Sequence, residues 1–165
     1  MQNALALFAG SAIAVLAFRV LPPVAPVVRT RRLLKLTLRD LRRLALGYSQ
    51  SNWQGLVNGR LSAMPDQATP IQRAQLVAAL AAGCEIIRLR HIALHLGLAP
   101  KLDAALAALA QGDSARVTAQ LSQFAEALAA DGPDADAVLH ARSSILVLSE
   151  ALTRHSVYFN AGVRV

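Results

Sequence analysis

Apolar and polar positions follow one another with a helical period along almost the whole chain, and the departures from that period mark the element ends. From Ala4 to Phe18 there are fifteen residues without a charge, and past Arg19 the chain stays apolar to Val28 through Pro22, Pro23 and Pro26. A single spanning helix needs about 20 apolar residues. The stretch reaches that length only if Arg19 snorkels toward lipid headgroups. It predicts a transmembrane helix over residues 4–21 with a proline-rich exit, together the segment 1–28. The competing readings are a buried or frayed helix of a soluble fold and a secretory signal peptide, but the basic cluster lies on the wrong side of the apolar core for the latter. Ala6, Gly10 and Ala14 recur every four residues, a ridge of small side chains against which another membrane helix packs closely.

The next segment is strongly amphipathic. At about 100 degrees per residue, Arg31, Arg32, Lys35, Arg39, Arg42 and Arg43 share one arc of about 120 degrees. Leu33, Leu34, Leu38, Leu41, Leu44, Ala45 and Tyr48 lie on the other side, with Leu36 the one misplaced leucine. This pattern packs a leucine face on a bundle and turns the arginines to solvent or lipid phosphates. Asp40, the sole acid here, is placed to pair with an arginine of its own helix.

Further along, glycine and proline cut the chain into short-looped helices. Gly47 to Ser51 precede a helix from Trp53 to about Met64, which Pro65 and Asp66 break. Thr69, Pro70 and Gln72 form a capping-box signature. It opens a long helix to about His95 that carries Leu76, Val77, Leu80, Cys84, Ile87 and Leu94. Gly97 and Pro100 separate it from Leu102 to Ala110, and Gly112 with Asp113 forms the next stop and cap. A helix from Ser114 to Ala130 has Val117, Leu121, Phe124 and Leu128 on one stripe, and Gly132 and Pro133 end it. The last, from about Asp134, presents Val138, Leu139, Ile145, Leu148, Leu152 and Tyr158. The expected fold is all-α, an N-terminal transmembrane helix followed by an antiparallel bundle over residues 29–165.

Composition sharpens this picture in two places. The chain is 55% hydrophobic and 4% aromatic, which suits alanine- and leucine-rich helices and a membrane segment or covered surface. The net charge of +7 is local: residues 1–45 hold eight Lys or Arg against Asp40 alone, and the remainder holds nine basic and nine acidic residues. A basic flank behind an apolar segment places that flank, and the bundle after it, in the cytoplasm. A basic helix with no docking module is weak evidence for nucleic acid, which is not expected as a partner.

Candidate chemistry is sparse. His91 and His95 lie one turn apart with only Glu85 as a remote third ligand, so no metal is expected. Cys84 reads as a buried small thiol. His140 and His155 have no nucleophile or carboxylate arranged about them, and there is no phosphate loop. The chain is therefore expected not to be an enzyme and to need no cofactor. Glu85 and Arg88 are spaced to pair, while Arg90 points elsewhere. With Trp53, these three form a candidate structural or assembly cluster, since charges inside an apolar bundle require partners. Arg60, like Trp53, is expected to help dock the short helix.

The run Leu33 to Leu41 after a proline-rich exit, Trp53, Gly59-Arg60-Leu61, Cys84 to Arg90, Ala107 to Asp113 and the closing Leu152 to Phe159 resemble, in order and spacing, the C-terminal part of the fusaric acid resistance family. The resemblance spans nearly the whole chain. It implies a last membrane helix plus a cytoplasmic helical region of a bacterial inner-membrane protein associated with export of aromatic carboxylic acids. Most of that family's membrane part is missing, so a component or fragment of an efflux transporter is implied, with Trp53, Glu85, Arg88 and Arg90 in assembly or gating. The implied partners are other transporter helices or subunits, a second copy of the chain, anionic lipid and, through the full transporter, a periplasmic adaptor. The alternative is a membrane-associated helical interaction module binding protein or anionic lipid, without transport activity.

Overall fold

The computed structural model describes residues 25–48, 52–131 and 135–160, and every regular element within them is helical. In chain order these are α1 (Pro26–Ala45), α2 (Trp53–Ser62), α3 (Pro70–His95), α4 (Ala99–Gln111), α5 (Ser114–Asp131), α6 (Ala135–Arg154) and α7 (Ser156–Phe159).

Local signals account for most of the helix ends. Pro26 occupies the first turn of α1, where its missing N–H costs nothing. At the other end Gly47 turns the chain with φ +88°, a left-handed conformation that suits glycine. Thr69 and Gln72 complete the capping box of α3: the Gln72 N–H donates to Thr69 Oγ1 at 3.2 Å, and the Thr69 N–H donates to Gln72 Oε1 at 2.9 Å. Gly112, at φ +77°, ends α4. Asp113 then accepts from the Arg116 N–H at 3.0 Å and opens α5.

Helix α3 is the hub, packing on α1, α2, α4 and α6, while α5 closes against α4 and α6. Its buried face is built from Leu76, Ala79, Ala82, Gly83, Ile86, Leu89 and Ala93. The stripe expected from its larger side chains differs: Val77, Ile87 and Leu94 are exposed. Alanine and glycine let neighbouring helices approach the α3 backbone, so the small-residue face goes inward and much of the bulky one stays outside. In α5 the expected stripe of Val117, Leu121, Phe124 and Leu128 is buried. In α6, Ile145, Leu148 and Leu152 are buried, but Leu139 is 65% exposed. It lies two residues from the buried Ala141, about 200 degrees around the helix.

The end of the described chain folds back on its beginning. The Tyr158 hydroxyl donates to the Leu34 carbonyl of α1 at 3.1 Å, beside the fully buried Phe159. Burial raises the Tyr158 phenol well above its ordinary pKa, with Arg60 and Arg42 opposing the shift. Asn160 Oδ1 accepts the N–H of Ser114 at 3.0 Å, capping α5 from a distance of 46 residues in sequence.

The expected fold is corrected: the described residues form an all-α helical bundle with no transmembrane helix among them. No helix among the described residues is long and apolar enough to cross a membrane. Even the 26-residue α3 is interrupted by Arg73, Glu85, Arg88 and Arg90, and α1 carries seven basic side chains and Asp40. The segment 4–21, to which the span was assigned, lies outside the described residues, as do Gly132 and Pro133. The expected boundary between residues 28 and 29 falls within the first turn of α1. The inner-membrane location and the cytoplasmic placement of the bundle both depended on that span and are corrected with it.

Candidate functional site

The basic helix α1 shows one face to the bundle and one to solvent. Leu34, Leu38, Leu41, Leu44 and Ala45 are buried, and their removal from water contributes roughly 1.5–3 kcal/mol for each fully buried leucine. That face dictates the other: Arg31, Arg32, Lys35, Arg39 and Arg43 are exposed. Tyr48, expected on the leucine side, is also exposed, because the chain has left the helix at Gly47.

Asp40 has been removed from the exposed face. Its carboxylate is buried and pairs with Arg60 of α2, whose second nitrogen donates to Thr37 Oγ1 at 3.0 Å. Arg39 approaches the same carboxylate from outside at 3.6 Å. The expected pairing within α1 therefore exists, but it is secondary to a cross-helix pair. The outer face of α1 consequently carries no acid.

One cation of the predicted set is committed elsewhere. Arg42 is half-buried and donates to the Phe159 carbonyl at 2.9 Å, satisfying an acceptor at the end of α7. Burial lowers its pKa, with Tyr158 opposing the shift. Arg43 is held over the ring of Tyr48, 5.4 Å from its centroid, a cation–π contact at the rim.

A groove of about 380 Å³ runs along this face. Arg32, Lys35, Arg39, Arg42 and Arg43 line it together with Leu36, Leu38 and Leu46. Leu36, the misplaced residue of the helical wheel, is thus part of an apolar lining beneath cations, and Leu46 is 58% exposed. Such a groove offers charge to an anion and apolar surface to whatever the anion is attached to. Guanidinium groups suit phosphate oxygens because their donors match them in pairs.

The second predicted group does not converge on one point. Trp53 is 2% exposed, donates Nε1–H to the Leu80 carbonyl at 3.0 Å and lies against Gly83, where an added Cβ would fall 2.1 Å from the indole nitrogen. Glu85 and Arg88 pair at 3.2 Å, with the arginine largely in solvent. Arg90 reaches away from both: it donates to the Ala45 carbonyl at the end of α1 at 2.7 Å and lies 3.6 Å from Asp103 of α4. Sequence reasoning missed the bonds of Thr37, Tyr158 and Asn160, whose partners are distant in sequence and leave no local signal. Cys84 is half-buried, with Gln54 Nε2 at 3.6 Å from its sulfur. No group of three or more His, Cys, Asp or Glu among the described residues is arranged to hold a metal.

The fusaric acid resistance protein family matches residues 1–158, and the chain belongs to that family. Neither the curated proteins nor the solved structures contain a match. The expectation that the chain is the last membrane helix and cytoplasmic region of such a protein is corrected in its membrane part, since no described helix is long and apolar enough to cross a membrane. The same finding corrects the reading as an inner-membrane efflux component, which required that helix.

Proposed function

We infer that the chain is a non-catalytic helical interaction module whose first helix binds anionic lipid headgroups, without transport activity of its own. The observation that carries this reading is the groove of α1: five cations, of which only Arg42 is tied to the Phe159 carbonyl, around three leucines, on a helix whose own acid has been drawn inward. Phosphate esters joined to apolar chains match that combination. Arg32, Lys35, Arg39 and Arg43 meet the headgroups, and Leu36 and Leu46 meet the upper part of the chains. Each cation near an anionic surface contributes about 1 kcal/mol. Four acting together give useful affinity that falls as salt rises.

The role of Trp53, Glu85, Arg88 and Arg90 in this reading is to hold the scaffold. Trp53 docks α2, and Arg90 fixes the end of α1 so that its basic face keeps its orientation.

Co-sedimentation of the full chain with vesicles tests the proposal. Binding to phosphatidylcholine vesicles containing phosphatidylglycerol is expected to exceed binding to phosphatidylcholine alone. The excess disappears in Arg32→Glu/Arg39→Glu/Arg43→Glu. An equal response to both vesicles rejects the proposal. Binding to polyglutamate without any preference for anionic vesicles points instead to an acidic protein partner.

A further inference from the structure

Helix α6 buries Ala141, Ser144, Ile145, Leu148 and Leu152. Its opposite face mixes polar side chains with large apolar ones. Leu139 and Leu146 are 65% and 71% exposed, and Val147 is also exposed. Isolated exposed leucines are ordinary on a protein surface. Two of them seven residues apart on one helix line up along a seam of the kind used between paired helices.

The charges beside that seam select its partner. Arg142 and Glu150 are both exposed and lie four residues to either side of Leu146. Glu150 accepts from Arg154 at 2.7 Å within the helix, which leaves its second oxygen available. Arg142 forms no ion pair among the described residues. When two copies of α6 pack antiparallel with the two-fold axis at Leu146, residue 146 + n of one copy faces residue 146 − n of the other. Leu146 then meets Leu146, Arg142 meets Glu150 of the partner copy, and Glu150 meets the partner's Arg142. Leu139 falls opposite Thr153, and the small Ser143 beside the axis leaves room for the approach. A parallel packing would set Arg142 against Arg142 and Glu150 against Glu150. The face is therefore self-complementary in one direction and self-repelling in the other, which is the requirement for an isologous interface.

We propose that the Leu139–Leu146 face of α6 is a homodimer interface, closed by an antiparallel α6 pair with reciprocal Arg142–Glu150 ion pairs about Leu146. This surface is separate from the basic groove of α1, so the proposal stands whether or not that groove binds lipid.

Sedimentation equilibrium of the full chain over a range of concentrations tests it, with circular dichroism and Trp53 emission used to confirm that each variant is folded. The wild type is expected to form dimers. Arg142→Glu and Glu150→Arg each turn two attractive contacts into two repulsive ones across the axis, and each is expected to weaken the dimer by about tenfold or more. The double variant Arg142→Glu/Glu150→Arg restores the complementarity and the dimer, a recovery that general damage to the fold would not give. Leu146→Glu leaves a folded monomer. A wild type that stays monomeric at every concentration overturns the proposal, as does an oligomer indifferent to all four variants.

Discussion

Arg60 of α2 closes on Asp40 of α1 where both side chains are largely shielded from water, and Thr37 completes the contact. This pair does two things at once: it fastens the short helix to the first one, and it withdraws the only acid of α1 from a face that otherwise carries only positive charge. A buried pair is not a large net source of stability, but breaking it from one side is expensive because the remaining charge is stranded. Asp40→Leu is expected to destabilise the fold by roughly 3–5 kcal/mol. Arg60→Met should do likewise, and the double variant should recover much of the loss. Denaturant unfolding in a double-mutant cycle measures this, and additive losses would show that the two residues act independently.

The contact of Trp53 with Gly83 sets two opposing effects against each other. Alanine in place of a glycine inside a helix gains about 0.5–1 kcal/mol from backbone propensity. Here its Cβ would overlap the indole ring, which is pinned by its bond to the Leu80 carbonyl. Forcing the ring out costs the packing and the hydrogen bond together, so Gly83→Ala is expected to be net destabilising by roughly 1–3 kcal/mol. Trp53 is the only tryptophan, and its emission should shift to the red in the same variant. An emission spectrum and an unfolding curve like those of the wild type would contradict the account.

Tyr158 makes stability depend on alkaline pH. Its phenol is raised in the folded chain, first by burial, so the native state holds its proton more tightly than the unfolded state does. The contribution is fully present below the unfolded value of about 10. As pH climbs from there toward the folded value, stability falls by up to about 1.4 kcal/mol per pH unit. Thermal unfolding across this range should show the decline, and Tyr158→Phe should flatten it at the cost of the bond to Leu34.

Arg90 ties the end of α1 to α4 through the Ala45 carbonyl and Asp103. Arg90→Leu is expected to lose about 1–3 kcal/mol, the cost of leaving a partly buried acceptor unmet. Hydrogen exchange should accelerate in the last turn of α1 more than in α5. Uniform acceleration across the bundle would show that Arg90 has no local role there.

The helix order and most helix ends were legible in the sequence because caps and breakers are local: Thr69 with Gln72, Gly112 with Asp113, Pro65 with Asp66. The periodic stripes of α1 and α5 were legible for the same reason, since leucine and phenylalanine mark their inner faces. The inner face of α3 was not, because alanine and glycine carry little hydropathy signal and their burial depends on which neighbours approach. Leu139 was misread because apolar character alone does not say which side of a helix is covered. In the candidate site, the cations of α1 were visible as a helical arc. The inward turn of Asp40, the diversion of Arg42 to Phe159 and the apolar lining by Leu36 and Leu46 all depend on contacts made across the fold. The transmembrane helix inferred from residues 4–21 rested on apolar length, a ridge of small residues and the basic flank behind them, and no helix among the described residues is long and apolar enough to cross a membrane.

The most direct test of the account places a reporter inside the basic groove itself. Leu46→Cys in a Cys84→Ser background, labelled with a polarity-sensitive fluorophore, is titrated with phosphatidylcholine vesicles with and without phosphatidylglycerol. A blue shift that requires the anionic lipid, weakens as salt rises and is lost on adding Arg39→Glu/Arg43→Glu is the predicted result. A fluorophore that stays in water while the protein sediments with the vesicles would show that another surface makes the contact, and would contradict the claim that α1 is the lipid-binding element.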